Sequence, residues 1–227
     1  MSPATLLLAG KLAQLNPNKT LLELGSGKGY PSLLWASVFG VNVHGVDFNR
    51  AFVDYAVSRA KLLNLSGKVE YVCQDLKDFK TAKHYDVTAA LGLDLNGIYG
   101  GRTQALRYLK STLTNEGTLI LAEPVWTVKP VPSEVLNGLG VKKADFVTVP
   151  QMEQLIPKAG FEEVGHFVSS KEDWEMYVRP LFISLREIIA EKPELAKEAQ
   201  RFIAGFEAEH DLAEKFWNMA LWVLKQK

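Results

Sequence analysis

The residues best suited to chemistry stand near the amino end, in Leu21-Leu22-Glu23-Leu24-Gly25-Ser26-Gly27-Lys28-Gly29. Three glycines follow a short apolar run and precede a helical pattern. Without β-carbons the chain can turn sharply, and a ligand can approach the backbone closely. Such a turn suits a nucleotide-derived cofactor, and it also occurs as a plain strand-to-helix connection. The dinucleotide fingerprint G-x-G-x-x-G would need a third glycine where this chain has Tyr30. The spacing is instead G-x-G-x-G, with the acidic Glu23 two residues before the first glycine.

Two aspartates extend the pattern. Asp47 closes a second apolar run, roughly twenty residues beyond the first glycine, where a carboxylate can accept both hydroxyls of a ribose. Asp75 closes a third run, within Cys73-Gln74-Asp75-Leu76. Each is also a good capping residue for the turn that follows it. All three positions fall at the carboxyl ends of predicted strands, the edge where open α/β sheets bind ligands.

In this combination the glycine turn resembles motif I of the class I S-adenosylmethionine-dependent methyltransferases, in which the turn wraps the amino-acid end of the cofactor. The resemblance implies a cofactor site formed by Glu23, Gly25, Ser26, Gly27, Gly29, Asp47, Phe48, Asp75, Leu76 and Leu91. Asp47 would hold the ribose, Asp75 would accept from the adenine amine, and the Leu76 backbone would face the ring. Glu123-Pro124-Val125-Trp126 and the Asp-Trp-x-x-Tyr of residues 171–177 are similar to segments of one small-molecule branch of the methyltransferase-domain superfamily. That branch usually carries an extra segment before its first helix. Here the chain starts at Met1-Ser2-Pro3, so a reduced lid over the cofactor is expected.

The elements that must position these residues follow from periodicity. Helices are predicted at Thr5–Leu15, Ser32–Phe39, Ala51–Leu63 (with Asn49 as N-cap) and Thr103–Leu113. Strands are predicted at Thr20–Leu24, Val41–Val46, Val69–Cys73, Tyr85–Leu91 and Thr118–Ala122, the last entered through a turn at Asn115-Glu116-Gly117. This alternation predicts a Rossmann-like α/β fold, a parallel sheet with helices on both faces. Beyond Pro124 the regularity fails until a helix at Gln151–Lys158 and a sixth strand at Phe161–Val168. Two long helices follow, near 172–191 and 194–214, parted by Lys192-Pro193. Phe216–Leu224 fits helix or strand, its bulk leaning towards strand. The resemblance implies a seventh strand there, antiparallel between the fifth and sixth, and sheet order 3-2-1-4-5-7-6. The expected organisation is a single methyltransferase domain over residues 1–227. Its cofactor half is 19–125, and a helical cap insertion before the last strand spans 171–214.

Methyl transfer from a sulfonium is an in-line displacement that the cofactor itself activates. The protein supplies proximity, alignment and a water-poor pocket, and no catalytic base is required. Candidates for the acceptor pocket are Leu91-Gly92, Tyr99, Glu123, Trp126, Trp174 and Tyr177. Trp174 and Tyr177 share a helical face, as an aromatic cage for a cationic or planar acceptor or as core packing. Glu123 ends an apolar strand, so it is either functional or paired with a buried cation. Ala90-Leu91-Gly92-Leu93 lacks the Asn/Asp-Pro-Pro-aromatic signature of enzymes that methylate base or glutamine nitrogens. Cys73 lacks the Pro-Cys context of cytosine-carbon methylation. Asp94 has no partner pattern of the catechol type.

Composition narrows the classes further. Lys plus Arg is 26 and Asp plus Glu is 26, and this even balance argues against a protein built to neutralise nucleic-acid phosphates. The single cysteine allows no internal disulfide and fits a reducing, cytoplasmic location. No apolar run suffices for a signal peptide or membrane span. The four histidines, His44, His84, His166 and His210, lack metal-ligand spacing, so no metal is expected. The expected ligands are S-adenosylmethionine and a small-molecule acceptor. Two other readings stay open: a nicotinamide-dependent oxidoreductase, against which Tyr30 counts, and a cofactor-binding regulatory or scaffolding protein without turnover.

Overall fold

The computed structural model describes the backbone of residues 1–227 and all side chains except those of Tyr177 and residues 209–214. His210 and the ring of Tyr177 therefore lie outside the described side chains. A helix α1 (Pro3–Leu12) leads into β1 (Thr20–Leu24), α2 (Tyr30–Phe39), β2 (Asn42–Asp47), α3 (Arg50–Leu62), β3 (Val69–Cys73) and β4 (Tyr85–Leu91). Next come α4 (Leu95–Tyr99), α5 (Arg102–Ser111), β5 (Leu113–Trp126), α6 (Ser133–Leu139), α7 (Val149–Lys158) and β6 (Phe161–Val168). The chain ends with α8 (Lys171–Glu191), a 3-10 turn at Pro193–Leu195, α9 (Ala196–Phe216) and β7 (Trp217–Gln226). The seven strands form one sheet in the order β3-β2-β1-β4-β5-β7-β6. This is the expected methyltransferase order, with β1–β2, β2–β3, β1–β4 and β4–β5 all parallel.

Two compact units divide the chain. One comprises Pro3–Glu123, Pro150–Phe167 and Leu221–Lys227. Its central strands β1, β4 and β5 are covered on both faces, which is why they read as continuous apolar runs rather than alternating ones. Leu21, Leu22, Leu24, Val46, Val87, Ala89, Ala90, Leu119, Ile120 and Leu121 are fully buried. The Trp35 indole is buried as well and donates to the Leu6 carbonyl at 2.8 Å, tying α2 to α1 without an unpaired polar atom.

The other unit comprises Met1–Ser2, Pro124–Val149 and Val168–Ala220. Its core is aromatic: Trp126, Val131, Val135 and Trp217 are buried, with Phe146 and Trp174 packed against them. Ring centroids lie 4.7 Å apart for Trp126–Phe146 and 5.4 Å for Trp174–Trp217, the latter edge to face. One polar residue organises this packing. Asn218 accepts from the Trp174 indole at 2.9 Å and from the Met219 amide at 2.9 Å, and donates to the Ser169 carbonyl at 2.7 Å. The long helix α8 starts in a capping box, Ser170 and Asp173 each accepting from the other's backbone amide.

The structure departs from the periodicity reading in two places. Asn115-Glu116-Gly117 is not a turn leading into β5. It lies within β5, where the register jumps from Tyr85↔Leu113 to Val87↔Thr118. The turn-forming residues are absorbed as a bulge. Helix α4 has no counterpart in the sequence reading: at five residues it is too short for periodicity, and its signal is the cap, Asp94 accepting from the Gly97 amide at 2.9 Å. The short helix α6 lies in the segment 126–149, where the sequence shows no regular period.

Asn218→Ala deletes three hydrogen bonds, one to the Trp174 indole and two to backbone groups. We expect it to cost about 2–4 kcal/mol. For a chain of this length that is a fall on the order of 5–10 °C in melting temperature, read by differential scanning calorimetry. An unchanged midpoint would show that Asn218 only decorates the aromatic core.

Candidate functional site

The glycine turn is built by the end of β1 and the start of α2. Gly25, Gly27 and Gly29 all adopt left-handed backbone, with φ of 69°, 52° and 75°. The amides of Gly25 and Ser26 donate to the Val46 carbonyl at 2.8 and 3.0 Å, stitching the turn to β2. The glycines do different work. A β-carbon on Gly25 would collide with the Leu93 side chain, and one on Gly29 would meet the Tyr71 hydroxyl at 2.5 Å. One on Gly27 would meet nothing within 4 Å. Gly27 is thus the open side of the turn.

Asp47 fixes this geometry. It is buried at the end of β2, and its two oxygens accept from the Gly27 amide and the Asn49 amide, each at 2.8 Å. A carboxylate oxygen has two lone pairs, so each retains one for a ligand hydroxyl. Asn49 in turn caps α3 by accepting from the Phe52 amide.

Beneath the turn sits Glu23, 2% exposed. Its sheet neighbours are Gly45 on β2 and Ala89 on β4, two residues that leave it room. Burial pushes its carboxyl up from the ordinary range to about 8; Ser32 opposes this by hydrogen bonding, and the nearby Asp47 charge adds to it. Its Oε2 is buried without a partner, as is the Ser26 hydroxyl. Above Gly45 lies the Tyr71 ring, which a β-carbon there would strike. Its hydroxyl meets Ser32 Oγ at 2.8 Å, and Ser32 Oγ donates to the Gly29 carbonyl at 3.2 Å. Tyr71 and Ser32 thus brace the turn from behind, a role for which the sequence carries no spacing signal.

The remaining cofactor candidates differ in character. Phe48 is 74% exposed, unusual for a large apolar side chain beside a buried aspartate. Leu76 is buried, and Leu91 half-buried at the end of β4. Asp75 is exposed and accepts from the Lys77 amide at 2.9 Å, so it does form a local turn. Along the carboxyl edge, in sheet order, stand Asp75, Asp47, the glycine turn, Leu91-Gly92 and Glu123.

Glu123 is beside Gly92, whose amide donates to the Ala122 carbonyl at 2.9 Å. At a strand spacing of about 4.8 Å, it stands roughly 10 Å from the glycine turn. It is 2% exposed, and Arg102 at the start of α5 donates to its Oε2 at 2.8 Å. Burial pushes the carboxyl up to about 7, with Arg102 pulling it down and Asp94 pushing it up. Arg102 carries no spacing signal in the sequence, where it stands just before the predicted helix Thr103–Leu113. The Tyr99 hydroxyl is buried without a partner, its ring stacked on Tyr108 with centroids 5.0 Å apart. Burial raises that phenol above its usual range. In the other unit, Trp126 is 4% exposed and donates to the Lys143 carbonyl at 3.0 Å. It and Trp174 belong to the aromatic core described above.

Comparison with known proteins gives a consistent set of likenesses. Residues 21–117 match the family described as methyltransferase domain. An uncharacterised protein of Escherichia coli, YjhP, is 27% identical over 207 residues, 91% of this chain and 81% of its own. A methyltransferase structure from Geobacter sulfurreducens, solved with S-adenosyl-L-homocysteine, aligns with a TM-score of 0.90 at 23% identity, covering 100% of this chain and 92% of its own. One from Thiobacillus denitrificans, with the same ligand, aligns at 0.88 and 24% identity with the same coverage. Residues 21–117 are thus similar to a methyltransferase domain, and the strand order is the one that the resemblance of the glycine turn implies.

Proposed function

We propose that this protein transfers the methyl group of S-adenosylmethionine to a small-molecule acceptor, with the cofactor across the carboxyl ends of β3, β2 and β1. The observation that carries this reading is the turn itself. It is open at Gly27, pinned by a buried carboxylate with spare lone pairs, and floored by two buried polar atoms that have no protein partner. Buried polar groups are rarely left unpaired unless something else pairs with them. The residues present therefore fit the group. When bound, S-adenosylmethionine supplies an electrophilic methyl on a sulfonium. The chain's task is to orient that group, exclude water and hold the acceptor in line.

The acceptor side of the edge is then β4 and β5, where Leu91, Gly92, Tyr99 and Glu123 stand. Glu123 titrates near neutral pH and is held by Arg102, which suits it to accept a hydrogen bond or a proton from an acceptor O–H or N–H. The fold is shared by enzymes acting on unrelated acceptors, so these residues, rather than the fold, point to a small polar group. Among the described residues no helix is long and apolar enough to cross a membrane.

Three measurements test this reading. S-adenosylhomocysteine at about a hundred times its dissociation constant adds roughly 2.7 kcal/mol to the folded state. The melting temperature should rise on the order of 5–10 °C, while NAD gives no shift. A response to NAD alone would replace the methyltransferase reading with an oxidoreductase one. Asp47→Asn keeps one acceptor for the turn and loses the paired oxygens. Its affinity for S-adenosylhomocysteine should drop at least about tenfold by calorimetry, a loss of at least 1.4 kcal/mol. Equal affinity would make Asp47 a turn residue only. Gly27→Ala places a methyl in space assigned to the ligand, at a cost to the free protein of about 1–2 kcal/mol for left-handed backbone. Binding should fall by far more than that strain explains. A variant that binds normally would show that the open side of the turn faces away from the cofactor.

A further inference from the structure

The three glycines of the turn are held in different ways. The amides of Gly25 and Ser26 donate to Val46 and that of Gly27 to Asp47, so the first half of the turn hangs on the end of β2. Gly29 is held from elsewhere. Its amide donates to the Ser26 carbonyl at 2.8 Å, and its carbonyl accepts from the Leu33 amide at 2.9 Å, which starts α2. It is the N-cap residue of that helix, with left-handed backbone and no side-chain cap. What reaches it from outside the loop is a pair of hydroxyls. Ser32 Oγ donates to its carbonyl at 3.2 Å, and the Tyr71 hydroxyl lies 3.4 Å from the same oxygen. With the Ser32 proton on that carbonyl, the 2.8 Å contact between the two hydroxyls runs from Tyr71 to Ser32.

Tyr71 stands on β3, two strands from β1, so this tie crosses β2. It crosses where β2 has Gly45, whose missing side chain leaves the ring its space. At the far end, a β-carbon on Gly29 would come within 2.5 Å of the Tyr71 hydroxyl and 3.0 Å of the Ala56 β-carbon on α3. The third glycine is therefore required from behind, by β3 and α3, whereas a β-carbon on Gly27 would meet open space.

We propose that Tyr71 is a positioning residue for cofactor binding: through Ser32 its hydroxyl fixes the Gly29 carbonyl, and with it the entry of the turn into α2. This rests on the reading that the turn binds S-adenosylmethionine and its product. Tyr71 acts through the turn and not on the reacting atoms. Glycine has more backbone freedom to lose than any other residue, so a tie at Gly29 removes disorder where the loop has most of it. A loop ordered in advance does not have to be ordered by the ligand, and the difference appears as affinity. An edge strand that carries no part of the glycine motif thereby sets how tightly the motif binds.

The experiment is isothermal titration calorimetry of the full chain with S-adenosylhomocysteine, well below the melting transition, on the wild type, Tyr71→Phe, Ser32→Ala and the double variant. Tyr71→Phe keeps the ring over Gly45 and removes only the hydroxyl. Its affinity should fall roughly three- to tenfold, the range of one hydrogen bond. A role confined to stability would lower the melting temperature and leave the affinity of the folded protein unchanged. Ser32→Ala also removes the hydrogen bond to Glu23, so its loss should be the larger. Because the two hydroxyls act in series, adding Tyr71→Phe to Ser32→Ala should weaken binding by less than about twofold more. In the ligand-free protein, Tyr71→Phe should speed amide exchange at Gly29 and Leu33 and leave that of Gly27, held by Asp47, as it was. Wild-type affinity in Tyr71→Phe overturns this proposal and leaves the methyltransferase reading intact. Losses that multiply in the double variant overturn the route through Ser32. No binding of S-adenosylhomocysteine by the wild type overturns both readings. If Tyr71→Phe does not fold, Ser32→Ala decides: unchanged affinity there overturns the proposal.

Discussion

Two backbone amides, those of Gly27 and Asn49, share the carboxylate of Asp47, and most of the site depends on that bridge. A left-handed turn of three glycines has many conformations open to it, and fixing one is costly in entropy. The carboxylate meets that cost at a single point, because it is buried and each of its two oxygens takes an amide from a different loop. One oxygen holds the loop after β1; the other holds the residue that caps α3. The carbonyl of Val46, one residue earlier, takes two more amides from the turn. The end of β2 is therefore a template on which the neighbouring loop is moulded, and the carboxyl edge of the sheet is set by the chain's own contacts.

The two buried glutamates divide that edge by electrostatics. Glu123 has Arg102 in contact, so its charge is offset locally and its carboxyl lies near neutrality. Glu23 is left with a like charge in Asp47 and with hydrogen bonds from Ser32. A carboxyl in the first setting can exchange protons with a bound molecule without reorganising its surroundings. One in the second keeps an oxygen without a protein partner. Similar burial produces two kinds of chemistry because the neighbours differ.

Much of this was legible in the residues. The strand-helix alternation led to a parallel sheet, because parallel strands buried on both faces leave unbroken apolar runs in a sequence, while the sheet order came with the family resemblance carried by the glycine spacing and Asp47. Phe161–Val168 shows the same bounds in both readings, and Trp217–Gln226 is a strand, as its bulky residues leaned. What stayed hidden was contact across distance in the chain. Arg102 is one cation among many until β5 places Glu123 against it. Tyr71 and Ser32 look like ordinary strand and helix residues until the turn between them is seen. The bulge in β5 was read as a turn, since Asn-Glu-Gly favours a turn locally and only pairing with β4 reveals that the strand continues. Trp174 shows the reverse difficulty. An aromatic residue at helical spacing looks the same in sequence whether it packs a core, as its contacts with Trp217 and Asn218 show, or lines a pocket.

The fit of Tyr71 over Gly45 carries a consequence for how this sequence can vary. The ring occupies the volume that a side chain at 45 would fill, and its hydroxyl spans to Ser32 behind the turn. The two positions on adjacent strands therefore share one allotment of space. Enlarging residue 45 alone pushes the ring into the loop, while shrinking residue 71 alone opens a void beneath α2. Only a paired exchange, small for large on one strand and large for small on the next, preserves the volume. Even then the reach to Ser32 is lost unless the new side chain ends in a hydroxyl. Drift at either site is held in check by the other, and substitutions here combine non-additively although neither residue needs to touch a ligand.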